Sequence, residues 1–254
     1  MAIYYEILGG DSQSTPLITL HGLFGSWDNL GVVAKSLAAS RKVYALDLPN
    51  HGRSAHTTKI SYPQLAATIC QWMDERDLHT INLVGHSMGG KVAMAIALTH
   101  PNRVKKLCVI DIAPKRYSPS HQAIFQAMHD IVTANPSTRS EADKLMQRYV
   151  EDSTVRSFLL KNWVRQDNGF AWRHNLSTLE SHYDDILDWP IEGRFEGDTL
   201  FIKGGLSPYI SHEDQPLIAA QFPNAKAKII EGTEHWPHAQ KPALTVGIIE
   251  RFLA

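Results

Sequence analysis

Gly85-His86-Ser87-Met88-Gly89 lies between a short apolar run, Ile81-Asn82-Leu83-Val84, and an alanine-rich one, Gly90–Leu98. The first run reads as a buried strand and the second as a helix, so the chain must pass from strand to helix through these five residues. Glycine on either side of the serine suits so tight a turn, because a side chain there would strike neighbouring backbone. The turn pushes the serine hydroxyl clear of the sheet. The first amides of the helix face the same space, where the helix dipole favours negative charge.

The rest of the chain supplies the sheet that such a turn needs. Strand-like segments occur at Ile3–Leu8, Leu17–Leu20, Val43–Leu46, Ile81–Val84, Leu107–Ile112, Thr199–Ile202 and Lys226–Ile230. They alternate with helix-like segments at about Leu30–Ala39, Tyr62–Asp77, Met88–Thr99, Gln215–Gln221 and Ala243–Phe252. Alternation of this kind implies an α/β fold with a mostly parallel open sheet and helices on both faces. It breaks between Pro114 and Trp189, a stretch far longer than a connecting loop. No convincing buried strand is legible there. Short helix-like segments are, near His121–Thr133, Arg139–Val150, Thr154–Val164 and Asn175–Leu187. The expected organisation is a core of residues 1–113 and 190–254 with a helical cap, 114–189, inserted after the strand that ends near Ile112. Cap residues such as Phe125, Phe158, Trp163 and Trp172 should form its core or the seam with the sheet, and a minority should line a pocket.

A chain of 254 residues can bury one large core. Its formal charge of −1 and lack of Lys/Arg runs argue against nucleic acid or an anionic membrane as partner. No apolar run approaches a membrane span, and Met1–Glu6 carries no secretory signal. The two cysteines, Cys70 and Cys108, fall in helix-like and strand-like segments and read as core thiols. A cytoplasmic protein is the expectation, either monomer or homodimer.

A serine is a poor nucleophile without a base, and the base is usually a histidine held by a carboxylate. Of the thirteen histidines, His235 follows the last strand and precedes the last helix, in Gly232-Thr233-Glu234-His235-Trp236. Loops after strand C-termini converge on the ligand crevice of open parallel sheets, so His235 is the candidate base. His86 should pack under the turn, and His51, His56, His121, His129, His174, His182, His212 and His238 lack comparable support. The acid is harder to place. The loop after Thr199–Ile202 reads Lys203-Gly204-Gly205-Leu206-Ser207-Pro208-Tyr209 and holds no carboxylate. Asp111, at the tip of the preceding strand, is costly to bury unpaired and can reach a histidine on its neighbour's side. Asp214 and Asp198 are the alternatives. His21-Gly22-Leu23-Phe24-Gly25-Ser26 follows the strand Leu17–Leu20, and the backbone N–H groups of Leu23 and Met88 are candidates for an oxyanion hole. No metal-binding or phosphate-cradling motif is present, and no cofactor is expected.

Together with Asp47-Leu48-Pro49-Asn50-His51-Gly52-Arg53-Ser54, these segments resemble the α/β-hydrolase superfamily along the whole chain. Asp-Ile-Ala-Pro at 111–114 and Gly-Gly-Leu-Ser-Pro-Tyr at 204–209 are similar to the bacterial YbfF-type esterases. That resemblance implies a triad acid on the strand before the usual one, in agreement with Asp111, and an ester or thioester substrate. The expected activity is that of a serine esterase. An acyl-CoA thioesterase, a C–C hydrolase or a lyase of the same fold is the enzymatic alternative, and a non-catalytic small-molecule receptor is the other.

Overall fold

The computed structural model describes residues 2–10, 13–167 and 169–254. Its strands are β1 (Tyr5–Leu8), β2 (Leu17–Leu20), β3 (Val43–Leu46), β4 (Ile81–His86), β5 (Val104–Ile110), β6 (Trp163–Gln166), β7 (Gly169–Trp172), β8 (Asp198–Gly204) and β9 (Ala225–Ile230). Seven of them form one sheet in the order β1-β3-β2-β4-β5-β8-β9. β1 pairs antiparallel with β3, and every other pairing in this sheet is parallel. The central strands β2, β3 and β4 are buried from end to end, which is why they read as unbroken apolar runs.

The helices are α1 (Gly31–Leu37), α2 (Tyr62–Asp74), α3 (Met88–Thr99), α4 (Gln122–Ala134), α5 (Arg139–Met146), α6 (Ser153–Leu160), α7 (Leu176–Ser181), α8 (Tyr183–Leu187), α9 (Gln215–Gln221), α10 (Pro237–Gln240) and α11 (Pro242–Leu253). α2 starts where the Ser61 hydroxyl accepts the amide of Gln64, with Pro63 in its first turn. Its buried residues Leu65, Ile69, Trp72 and Met73 recur at helical spacing and make one face. α3 is different: Met88 through Leu98 are all buried, and its small residues let it lie close on the sheet. Val33, Leu37, Ile249 and Leu253 of α1 and α11 cover the opposite face of the sheet.

The insertion between β5 and β8 carries α4 to α8 and forms a largely helical cap. It also contains the β6–β7 hairpin, which the sequence reading missed. Only the outer pair of that hairpin, Trp163 and Trp172, is buried, so neither strand presents a clear apolar pattern. The segment read as one helix over Asn175–Leu187 is two, α7 and α8. Cap residues Phe125, Met128, Ile131, Leu159 and Trp163 belong to the same apolar cluster as Ile96 of α3 and Leu107 of β5. Polar pins reinforce the seam. Tyr62 Oη donates to the Ile186 carbonyl at 2.6 Å, and Asn162 Nδ2 to the Phe24 carbonyl at 2.6 Å. Lys91 Nζ, from α3, donates to the carbonyls of Leu187 and Asp188, both at 2.9 Å.

Among the described residues, no helix is long and apolar enough to cross a membrane. Cys70 and Cys108 are free and buried, and burial raises the pKa of both thiols.

Candidate active site

Sheet register builds the site. β4 and β5 pair through His86 and Ile110, so the next residue of each strand, Ser87 and Asp111, leaves the sheet beside the other. Both turn sharply: Ser87 has φ 52° and Asp111 φ 54°, conformations that non-glycine residues rarely adopt. Neighbouring backbone holds them there. The Ser87 amide donates to the Ile110 carbonyl at 3.0 Å, and the Asp111 amide to the Ile202 carbonyl at 2.8 Å. The turn at Ser87 fits only because its flanks lack side chains. A Cβ on Gly89 would lie 2.3 Å from the Leu20 carbonyl oxygen, and one on Gly85 2.3 Å from that of Gly89.

His235 reaches both groups from the loop after β9. Its Nε2 lies 2.9 Å from Ser87 Oγ and its Nδ1 2.8 Å from Asp111 Oδ2. With the Nδ1–H given to the carboxylate, Nε2 is left as an acceptor for the serine proton. Asp111 is fully buried and two further donors reach its carboxylate. Oδ1 accepts the Gly204 amide at 2.8 Å, and Oδ2 also accepts the Ser207 hydroxyl. Asp214 is elsewhere. Its carboxylate binds Lys115 Nζ at 2.7 and 2.8 Å and accepts the Ser211 amide at 2.7 Å. Burial alone would raise its pKa, but these partners hold it below the usual carboxylate value. Asp198 lies at the exposed start of β8, the end remote from Ser87.

The segment after β2 closes over the serine. A Cβ on Gly22 would lie 3.3 Å from the Ser87 Cβ. His21, buried beneath, takes the Leu48 amide on Nε2 at 3.0 Å and donates from Nδ1 to the Gly22 carbonyl at 2.8 Å. Asp47 holds the adjoining loop by accepting the amides of Trp27 and Arg53 at 2.7 and 2.8 Å. Among the described residues, the amides of Leu23 and Met88 have no acceptor.

Several participants were not legible in the sequence. His86 does pack under the turn, and it also donates from Nε2 to the His235 carbonyl at 2.8 Å, fixing the loop that carries His235. Burial, then the neighbouring His238 and His235, push its pKa well below the ordinary value. Ser207 stands where a carboxylate was looked for. Tyr209, two residues on, stacks on the His235 ring. The only available signal for the serine was a small hydroxyl at the vacated acid position.

Ser87, His235 and Leu23 line a cavity of about 1000 Å³ between cap and sheet, together with Phe24, Ile124, Phe158 and Trp236. Among the described residues, no group of three or more His, Cys, Asp or Glu is placed to hold a metal ion. A hydroxyl, an imidazole and a buried carboxylate in hydrogen-bonded line, with two free amides alongside, can pass the serine proton to the imidazole while a new negative charge forms on bound carbonyl oxygen.

A family model for the alpha/beta hydrolase fold matches residues 15–242. The chain belongs to the α/β-hydrolase family. This hydrolase is 39% identical over 98% of its length to the sn-1-specific diacylglycerol lipase ABHD11 of Danio rerio, 81% of which is covered. It is 36% identical to the esterase YbfF of Escherichia coli strain K12, over 95% of this chain and 94% of that one. A solved marine microorganism esterase superposes with a TM-score of 0.94 at 37% identity, covering 98% of both chains.

Proposed function

We propose that this chain is a serine esterase that hydrolyses carboxylic esters of small molecules through an acyl-enzyme. The observation that carries this reading is the unbroken line Ser87–His235–Asp111 at the wall of a cavity lined by both apolar and polar side chains. Ser87 Oγ attacks the acyl carbonyl as His235 Nε2 takes its proton. Asp111 keeps the imidazole in the required tautomer and offsets the charge of the imidazolium. The amides of Leu23 and Met88 hold the oxyanion. His235 then protonates the leaving alcohol, and water repeats the sequence to release the acid. The relatives named as an esterase and a lipase support ester cleavage.

Serine, base, acid and both amides come from one chain, so the site is complete within a monomer. The two free, buried thiols suit a reducing compartment such as the cytoplasm. The test is the initial rate on p-nitrophenyl esters from acetate to palmitate, with Ser87→Ala as control and a matched sulfur ester beside one oxygen ester. Turnover that requires Ser87 and prefers the oxygen ester is expected. No turnover of any oxygen ester, with cleavage of the thioester alone, would replace the reading by a thioesterase. Binding without any cleavage would replace it by a receptor.

A further inference from the structure

The loop after β8 carries no acid, yet it touches both the acid and the base. Ser207 donates to Asp111, and Tyr209 lies flat on His235 with ring centroids 3.8 Å apart and an interplanar angle of 18°. Two other rings meet His235 tilted and farther away, His86 at 4.7 Å and 45° and Trp236 at 5.6 Å and 61°. We propose that Tyr209 is a positioning residue for catalysis, whose ring fixes the plane of the His235 imidazole and favours the imidazolium that forms in each half of the reaction. The proposal rests on the esterase reading of the Ser87 site.

The tyrosine is held on both sides. Its amide donates to Ser207 Oγ at 3.2 Å, and its carbonyl accepts the Tyr117 hydroxyl at 2.7 Å. Tyr117 Oη in turn accepts the Ala113 amide at 2.8 Å, two residues beyond Asp111. With its backbone so anchored and its ring packed against Tyr117 at 5.5 Å, Tyr209 limits rotation of the stacked imidazole off the Ser87–Asp111 line. The face of a phenol ring also carries partial negative charge, which attracts a cation more than a neutral imidazole. That difference is larger in the transition state than in the resting enzyme, which is the condition for raising turnover.

The other titratable groups facing His235 add little charge at neutral pH. Burial lowers His121 to about 4 and His238 to about 3, and takes His86 well below its ordinary value. Burial likewise raises the Tyr209 phenol, which stays protonated. The imidazolium therefore meets the Asp111 carboxylate at Nδ1 and the tyrosine ring at its face.

The test compares Tyr209→Leu with Tyr209→Phe, reading the rate of fluorophosphonate labelling of Ser87 alongside kcat and KM on p-nitrophenyl butyrate. The leucine variant should lose roughly tenfold to thirtyfold in both labelling rate and kcat, the size of a desolvated cation–π contact, with KM within about twofold. The phenylalanine variant, which keeps the ring, should recover at least about a third of the wild-type values. Should the leucine chain fail to fold by its thermal melt, Tyr209→Met, which fills similar space without a π face, takes its place with the same expectation. A leucine or methionine variant with undiminished labelling, a phenylalanine variant as slow as leucine, or a loss confined to KM would each overturn the proposal. Wild-type labelling without ester turnover would sink the esterase reading and leave the labelling comparison to decide the role of Tyr209. No labelling of the wild type would remove both.

Discussion

Ser207 donates its hydroxyl proton to Asp111 Oδ2, the oxygen that also receives the Nδ1–H of His235. The carboxylate just past the end of β5 is thus held from the loop after β8, whose residues 205–211 include no carboxylate. Two variants separate these contributions. Asp111→Asn should lower kcat by about 10⁴-fold, because an amide favours the wrong imidazole tautomer. Ser207→Ala leaves the carboxylate with the Gly204 amide and His235, and should cost about tenfold. Asp214→Asn, whose effects are confined to Lys115 and Ser211, should leave kcat within about twofold. Rates on p-nitrophenyl butyrate check all three. Survival of activity in Asp111→Asn together with its loss in Asp214→Asn would mean the acid was misassigned.

Legibility followed burial. β2, β3 and β4 are covered on both faces, so their apolar runs were unambiguous, and the Gly85–Gly89 turn could be placed from its flanks alone. Asp111 was readable because a lone carboxylate at the tip of an apolar strand demands a partner. The strand itself ends one residue earlier than Asp111, at Ile110, since the positive φ of Asp111 breaks the ladder. The β6–β7 hairpin escaped because its four-residue strands bury little. Tyr209 escaped for another reason: stacking on a residue 26 positions away leaves no periodic trace.

The cap should set acyl-length preference. Phe158 of α6 faces Trp236 of the core across 6.0 Å, and both line the cavity. Phe158→Ala removes the phenyl ring from that wall without touching the Ser87 line. The rate on decanoate relative to acetate should rise severalfold, with the acetate rate itself changed by less than about threefold. The p-nitrophenyl series measures this ratio. An equal fall for every ester would assign Phe158 to cap folding instead.

His174 should make the protein acid-sensitive. It stacks on Trp172 at 5.2 Å and packs against Phe24 at 5.4 Å, and neither ring nitrogen has a hydrogen-bond partner among the described residues. Burial lowers its pKa from 6.5 to about 3, so below pH 6.5 the unfolded chain takes up a proton that the folded one refuses. Stability is therefore lost as pH falls from about 6.5 toward 3. His174→Phe keeps the stacking and removes that proton uptake. Its acid unfolding midpoint, followed by circular dichroism, should lie below that of the wild type. An unchanged midpoint would show that other groups govern acid unfolding.

Lys91 has the opposite exposure to pH. Its ammonium is buried, bound to the Leu187 and Asp188 carbonyls, and stands 5.0 to 6.0 Å from the ring centroids of Tyr117, Tyr62 and Trp189. Among the described residues no carboxylate bonds it directly, and burial lowers its pKa from 10.5 to about 7. Below pH 7 both folded and unfolded chains carry the charge, and the cost of burying it is constant. Above pH 7 the folded chain sheds the proton while the unfolded chain keeps it, so Lys91 favours folding increasingly with pH up to about 10.5. Ionisation of the buried Cys108, Tyr62 and Tyr117, which burial opposes, acts the other way above pH 9. The informative quantity is the difference between wild type and Lys91→Met from urea unfolding at pH 5, 6, 7.5 and 8.5. The wild type should gain on the variant from pH 7 to 8.5 and hold a constant gap below pH 7. A gap that does not change with pH would mean that Lys91 keeps its proton in the folded protein throughout, with the Leu187 and Asp188 carbonyls and the three rings compensating its charge.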